Sequence, residues 1–529
     1  MAEVDLNIES FGPSAREFRT LVRALPKNPA LATELRRTRH RLLSAVLLDG
    51  ATKRRKPSPP DAYRATFFDY TNNRALLVDG RLGDRDSIVV TESGEQPLPT
   101  DEEVAEAIAI VSEDERLGES IRSGAAFPYA AMPPLLDVEL PDGRVPRTLA
   151  IGLLPRAERA GVRHEIVGVN MLSREVTHFD DAAPPTAVAH NPICGLPYGS
   201  QPPVEPPGPG QAWVTVTQGG TVLWRFLVVR PSASSGTRGS AVELRYVDYR
   251  GKRVLYRAHV PILNVLYDGN ACGPFRDWQT SEDGFQAVGS TPVPGFRVCS
   301  SPAQTILDSG SDSGNFRGVG IYVQGQEIVL VSELNAGWYR YISQWRLHAN
   351  GTIRPRFGFS AVQNSCVCNR HMHHPYWRFD FDIRTAGNNV VREFNDPPIF
   401  AGTNWHTKHF EIKRPRNPGR KRRWRIEHAP SGAAYDLVPG PDDGTADAYG
   451  RGDVWILRYR GTELDDGHNS TTGPPGTTEA DIDKFVNGEV VENADVVVWY
   501  AAHVIHDVAA GPPGEFGHWS GPDLVPHKW

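Results

Sequence analysis

The sequence predicts a mainly β protein in which a large β-sandwich follows two small α+β domains. Its 529 residues are too many for one compact core, so several domains are expected. The 50 Gly and 44 Pro beside only 4 Met are typical of many turns and short strands. Strand-like runs follow one another from residue 212 almost to the end, whereas the order before residue 182 is strand, strand, helix, strand, strand.

The elements divide the chain into a helical start, two small modules, a linker and the sandwich. The first segment is helical and basic, and it ends in Lys53-Arg54-Arg55-Lys56 before a proline-rich break. A helix is expected from residue 101, with Thr100 and Glu103 as a capping-box pair. The expected bounds are 1–60 for the helical segment, 61–97 and 98–182 for the α+β domains, 183–211 for the Pro-rich linker and 212–529 for the sandwich.

Charge and composition exclude several functions. The net charge of -6 carries no signature of polyanion binding, so nucleic acid is not an expected partner. The basic run at residues 413–425 is interpreted as a solvated hairpin turning at residues 417–419. No stretch is apolar enough to span a membrane, and the N-terminus lacks a secretory signal, so a cytoplasmic location is expected. Five cysteines in so long a chain predict no disulfide framework.

A histidine pair is the first sign of chemistry. His371 and His373 precede a strand-like run, and residues two apart in a strand face the same side, so both imidazoles can reach one ion. His374 would point the other way. Imidazole suits copper, zinc, iron or nickel. A third ligand must come from elsewhere, and His503 and His506 lie in a late apolar run.

Several stretches of the sequence resemble the copper amine oxidase family. HMHHPYWRFDFDI at residues 371–383 matches the family's H-x-H followed by F-R-L-D-x-D-V. DVVVWYAAHVIH at 495–506 matches the late motif that ends in a histidine, and WRI at 424–426 with AYDLVPG at 434–440 matches a third. VLYRAHVP at 254–261 is similar to a further family strand. The motifs keep the family's order, so the resemblance covers residues 60–529.

The resemblance implies a homodimeric copper-dependent oxidoreductase with the fold expected above. It implies that copper is bound by His371, His373 and His506, and it puts Tyr339 where dioxygen converts a tyrosine to topaquinone. With an aspartate base, the family oxidises primary amines to aldehyde, ammonia and hydrogen peroxide. It also implies a calcium-type site at Asp380, the Phe381 carbonyl, Asp382, Asp495 and the Val496 carbonyl. The alternative is that these aspartates pair with Arg378 or with surface charges.

The cofactor motif departs from the family's pattern. The family reads T-x-x-N-Y-D/E, whereas residues 335–340 read NAGWYR. Trp338 therefore replaces an Asn that helps hold the quinone, and Arg340 replaces an acidic residue. Tyr339 is either a quinone precursor or an unmodified core tyrosine.

The catalytic base is also missing from its family position. Tyr267 matches an active-site tyrosine, and the base should follow near Gln279 or Thr280, neither of which has a useful pKa. Asp277 and Asp283 are the nearby carboxylates that could take over. The alternative is that both are solvated loop residues.

Three hypotheses follow for the function. The first is a copper-dependent oxidase that uses dioxygen on a small molecule by chemistry other than standard amine oxidation. The second is a topaquinone-dependent primary amine oxidase, and the third is a non-catalytic copper-binding dimer. Cys366 and Cys368 lie just before the histidines, either as a thiolate ligand or redox partner of copper or as ordinary thiols.

Overall fold

The chain is mainly β, as predicted, with 48% strand and 12% helix. The computed structural model describes residues 4–48, 53, 57–94, 96–156, 164–179, 193–203, 210–268, 272–400, 402–468, 470–473, 476–508 and 519–529. Much of the predicted linker (183–192 and 204–209) and most of the basic run 53–56 lie outside these residues. No described helix is both long and apolar enough to cross a membrane.

The chain forms two compact units. The smaller comprises Pro13–Gly50 and Pro60–Asn191, and the larger comprises Met1–Gly12, Ala51–Pro59 and Pro192–Trp529. Strand β1 (Val4–Ser10) belongs to the larger unit. The smaller unit contains α1 (Ala15–Ala24), a 3₁₀ turn (Leu25–Lys27), α2 (Pro29–Glu34), β2 (His40–Leu48), β3 (Ala62–Asp69), β4 (Arg74–Arg81), β5 (Asp84–Ser93), α3 (Asp101–Glu113), α4 (Gly118–Arg122), β6 (Ala126–Leu136), β7 (Thr148–Pro155), β8 (Glu165–Asn170) and β9 (Glu175–His178).

The smaller unit contains two four-stranded antiparallel sheets, β2 to β5 and β6 to β9. Helix α3 begins at the predicted capping box of Thr100 and Glu103, and it buries Ala107 and Val111 in the apolar core beside the second sheet. The segment 1–60 is less helical than expected. It contains α1 and α2, but residues 40–48 form strand β2 rather than a helix. The branched and aliphatic residues of β2 favour a strand, and β2 pairs with β3 in the first sheet.

In the part of the larger unit that the structure describes, 22 more strands follow residue 210. They are β10 (Gln211–Gln218), β11 (Thr221–Val229), β12 (Glu243–Tyr249), β13 (Lys252–Tyr267), β14 (Phe275–Arg276), β15 (Glu282–Asp283), β16 (Gly289–Val293), β17 (Phe296–Cys299), β18 (Val319–Gln324), β19 (Glu327–Ala336), β20 (Tyr339–His348), β21 (Ile353–Ala361), β22 (His371–Phe381), β23 (Asn389–Phe394), β24 (Trp405–Lys408), β25 (Ile412–Arg414), β26 (Arg423–His428), β27 (Ala434–Val438), β28 (Val454–Arg458), β29 (Val496–Ala501), β30 (Val504–His506) and β31 (Asp523–His527). Its helices are α5 (Ile306–Ser309) and 3₁₀ turns at Pro231–Ala233, Ser365–Cys368, Pro418–Arg420 and Asp483–Phe485.

These strands form two large sheets. The first runs β1-β10-β11-β12-β13-β22-β29-β28-β25, and the second runs β16-β17-β18-β19-β20-β21-β31-β27-β26-β23-β24. The buried faces meet in a core rich in tryptophan, where Trp224 of the first sheet donates to the His348 carbonyl of the second at 3.1 Å. This is the predicted β-sandwich, and it brings β22 of one sheet against β20 of the other.

The basic run at 413–425 differs from the predicted solvated hairpin. The turn forms where expected, but β25 pairs with β28 in the first sheet and β26 pairs with β23 and β27 in the second. Arg416 and Arg422 are buried, and Arg422 donates to Asn395 beside the buried Glu393. Some of the arginines are buried because the run connects the two sheets. A buried charge must be paired, and Glu393 pairs with Arg422.

Candidate metal centre

Three buried histidines come together where strand β22 begins. His371 and His373 point to the same face of β22, as predicted from their spacing. His506 lies opposite His371 because β30 pairs with β22. One ring nitrogen from each of the three lies within 4.8 Å of the others. His374 faces the other way, and its Nδ1 is 2.8 Å from Nδ1 of His503.

The contacts of the ring nitrogens indicate which of them face the centre of the cluster. Nδ1 of His371 contacts the Asn369 carbonyl, and its Nε2 lies 3.0 Å from Nδ1 of His506. Nε2 of His373 is buried and has no hydrogen-bond partner among the described residues. Burial, then the neighbouring His506, lowers the pKa of His371 to about 3, and burial lowers that of His373 well below its usual value. The lowered pKa values keep His371 and His373 uncharged, and uncharged imidazoles suit a transition metal.

Tyr339 directs its hydroxyl group at the same point. It begins strand β20, is fully buried, and its hydroxyl contacts Nε2 of His371 and lies 3.2 Å from Nδ1 of His506. Burial, then the neighbouring Tyr267, raises the pKa of the Tyr339 hydroxyl well above its usual value. Without a bound cation the Tyr339 hydroxyl is therefore a neutral phenol.

Trp338 and Tyr267 enclose this hydroxyl group. The Trp338 indole N–H donates to the Tyr267 hydroxyl at 2.8 Å, and the Tyr267 hydroxyl also hydrogen-bonds Tyr339. The Tyr267 ring stacks on His371 with 4.5 Å between ring centroids. The structure thus brings both residues to the centre, and Trp338 acts as a hydrogen-bond donor there.

Asp277 reaches the centre through Tyr341, a residue that the sequence analysis did not single out. The Tyr341 hydroxyl donates to Asp277 at 2.5 Å and lies 3.2 Å from Nδ1 of His373. Burial raises the pKa of Asp277 to about 7, and its Oδ1 has no partner among the described residues. Tyr341 follows Tyr339 by two residues in a strand, and that spacing could have placed both on one face.

Asp283 lies elsewhere. It is buried in an ion pair with Arg340, which also donates to Asp312 at 2.6 Å. Arg340 alternates with Tyr339 along β20 and therefore faces away from the histidines. Of the two candidate bases, only Asp277 is beside the tyrosines.

The cysteines correct the sequence analysis. Cys194 bonds to Cys368 and Cys272 bonds to Cys366, so neither cysteine before His371 is a thiolate. Both bridges join segments more than 90 residues apart, a pairing that spacing alone does not reveal. Disulfides persist mainly in oxidising compartments, which argues against the expected cytoplasmic location.

The acidic residues of the implied calcium-type site also meet. Asp380, Asp382 and Asp495 each bring an oxygen within 4.8 Å of the others, and the Lys53 ammonium group lies among them. The two residues whose carbonyl groups complete the implied site, Phe381 and Val496, are cross-strand partners. An ammonium and a divalent cation cannot share the same oxygens, so these side chains do not fit calcium here.

The fold is of the copper amine oxidase type. A copper-containing benzylamine oxidase from Hansenula polymorpha superposes with a TM-score of 0.58 and 13% identity over 100% of this chain and 94% of that one. The lysyl oxidase of Pichia pastoris gives 0.57 and 12% over 99% and 91%, and an Aspergillus nidulans amine oxidase gives 0.53 and 14% over 98% and 88%. No family model and no curated protein matches the sequence. At these identities the likeness establishes the fold.

Proposed function

We propose that this protein is a copper-dependent oxidase that uses dioxygen on a small-molecule substrate, by chemistry other than standard amine oxidation. The observation that carries the proposal is the convergence of three buried imidazoles on one point beside a tyrosine hydroxyl. The fold is that of copper-containing oxidases, which favours copper over the other metals that accept imidazole.

Three nitrogens would hold the metal: Nε2 of His371, Nε2 of His373 and Nδ1 of His506. When bound, copper supplies one-electron redox chemistry toward dioxygen. The Tyr341 hydroxyl, which donates to Asp277, accepts a hydrogen bond from Nδ1 of His373 at 3.2 Å. This contact fixes the tautomer in which Nε2 carries the lone pair.

The remaining residues control protons and water at the centre. Tyr339, Tyr267 and Trp338 are all buried, so their hydrogen bonds act where water does not compete. Asp277 is the base: its Oδ1 is unpartnered, and its pKa of about 7 allows it to take a proton from a substrate and release it again.

The position of Asp277 also favours a second candidate, a topaquinone-dependent primary amine oxidase. The family's base is missing from its sequence position, yet the buried carboxylate of Asp277 accepts a hydrogen bond from Tyr341, whose ring stacks on that of Tyr339. In this case Tyr339 would be the quinone precursor, although Trp338 replaces the Asn that helps to hold the quinone in the family.

One experiment separates these functions. Metal-free protein is given copper in air, and the mass of the peptide containing Tyr339 is measured, with a Tyr339→Phe variant as control. If copper binds, Tyr339 is unchanged and oxygen is consumed with a small-molecule panel, the first proposal stands. If the peptide gains two oxygen atoms and loses two hydrogen atoms, the amine oxidase candidate replaces it.

The same experiment can contradict both. Bound copper without oxygen consumption for any substrate leaves a non-catalytic copper-binding protein. A chain that binds no copper removes the proposal altogether. The homodimer, proposed from the resemblance alone, is tested separately by light scattering.

A further inference from the structure

Lys53 lies far from the acidic cluster in sequence but reaches its middle. Its ammonium group is 2.7 Å from Oδ1 of Asp380 and 2.8 and 3.0 Å from the two oxygens of Asp495, and it also contacts Asp382. The Lys53 side chain is 11% exposed, and that of Asp380 is fully buried. The contact therefore belongs to the interior of the larger unit, which includes Ala51–Pro59.

Aromatic rings complete the surroundings of the ammonium group. It lies 4.7 Å from the Tyr459 ring centroid and 5.0 Å from that of Tyr256, within the range of cation–π attraction. Burial alone would lower the pKa of Lys53, but the charges of the three carboxylates outweigh it and raise the pKa. The side chain is therefore a fixed positive charge.

The carboxylates need such a charge. Three acidic groups lie within 4.8 Å of one another, and Arg378 is a distant partner, with its Nη1 3.7 Å from Asp380. Buried carboxylates this close repel one another unless a cation lies between them. Lys53 contacts all three at once.

We propose that Lys53 is a built-in cation, an ammonium group that takes the place of a divalent ion among Asp380, Asp382 and Asp495. The protein consequently needs no calcium at this position. The Lys53 side chain thereby contacts both β22 and Asp495, which immediately precedes β29. Both strands lead to copper-ligand positions, β22 from His371 and β29 toward His506.

The test removes the ammonium group in two ways from the copper-loaded protein. Lys53→Ala removes the charge and opens space, whereas Lys53→Met removes the charge and keeps the volume. Lys421→Ala is the control, because Lys421 makes an exposed pair with Asp396. Calcium binding is measured by equilibrium dialysis with calcium chloride, and Tm is measured with calcium or with a calcium chelator at a concentration that leaves the copper content of each sample unchanged.

We expect wild-type protein and Lys421→Ala to bind no calcium and to keep the same Tm with calcium or chelator. Lys53→Ala should lose about 3 °C or more, because it leaves buried charges unpaired. It should also gain a calcium site and recover part of its Tm when calcium is added. Lys53→Met should be destabilised and bind calcium more weakly than Lys53→Ala.

Three results would overturn the proposal. The first is wild-type protein that carries calcium and loses Tm on chelation, and this measurement decides the matter if Lys53→Ala fails to fold. The second is a Lys53→Ala variant with the wild-type Tm. The third is a folded Lys53→Ala variant whose Tm falls but that binds no calcium.

Discussion

The histidine cluster and the aspartate cluster are built on the same pattern with opposite results. Each takes two side chains at i and i+2 near one end of β22: His371 and His373 begin the strand, and Asp380 is its last residue but one, with Asp382 directly after its end. Each takes a third from the neighbouring part of the chain, His506 from β30 and Asp495 from the position directly before β29. In both, the three ligand atoms lie within 4.8 Å of one another.

The two clusters differ in what lies next to their ligand atoms. The uncharged imidazoles of His371 and His373 attract no internal cation, and Nε2 of His373 has no hydrogen-bond partner among the described residues. The carboxylates attract the Lys53 ammonium group. The comparison shows that three suitably placed ligand atoms are not sufficient for a metal site. In the aspartate cluster, a lysine of the same chain already occupies the position that a metal ion would take.

The largest effect is expected at the histidine cluster. His373→Ala should weaken copper binding by more than about 100-fold, because the loss of a ligand exceeds the 10–100-fold cost of losing an outer partner. Copper per chain is measured after dialysis. His409→Ala is the control, since His409 is largely exposed and pairs with Glu492. Full copper retention by His373→Ala would show that His373 is not a copper ligand and that the histidine cluster is not the metal site.

The next effect concerns Asp277, which contacts the histidine cluster through Tyr341. Its folded-state pKa of about 7 exceeds the unfolded value, so the folded chain keeps a proton that the unfolded chain releases. Wild-type stability should therefore fall as pH rises from about 4 to 7. Asp277→Asn keeps the group neutral, so the variant should lack this fall and gain on the order of 4 kcal/mol above pH 7.

This is measured by urea unfolding across pH, with the exposed Asp268→Asn as control. The same Asp277→Asn variant should oxidise any substrate about 10²- to 10⁴-fold more slowly, as expected for loss of a general base. Unchanged pH dependence of stability would show that Asp277 ionises normally.

A smaller effect is expected at the aspartate cluster. Burial, then the neighbouring Asp380, raises the pKa of Asp495 to about 7, so Asp495→Asn, which relieves this repulsion and keeps an oxygen for Lys53, should raise the unfolding free energy by about 1.5 kcal/mol above pH 7, and copper content should not change. Asp396→Asn breaks an exposed lysine–aspartate pair and should cost less than about 0.5 kcal/mol. Loss of copper from Asp495→Asn would mean that the two clusters are not independent.

The smallest effect tests the surroundings of Tyr339. Trp338→Phe loses the N–H donated to Tyr267 and should cost about 1 kcal/mol without loss of copper. Tyr267→Phe removes the acceptor, so the double variant should cost less than the sum of the two. Additive costs would contradict a direct bond.

Most of the fold and part of the centre could be predicted. Alternation along a strand put His371 and His373 on one face, and the capping box located helix α3. The same alternation applied to β20 would have found Tyr341 beside Tyr339. The hairpin expected at the basic run was wrong because a turn signal does not say which sheet receives the strands that follow.

The sequence by itself determined the class of fold, the histidine pair and the donor chemistry, because these depend on composition, local spacing and residue type. Only the tertiary structure decided that Asp277 rather than Asp283 joins the tyrosines, that the cysteines are bonded, and that Lys53 fills the aspartate cluster. These are contacts between side chains distant in sequence, and local spacing carries no information about which distant charge or thiol the folded chain brings near.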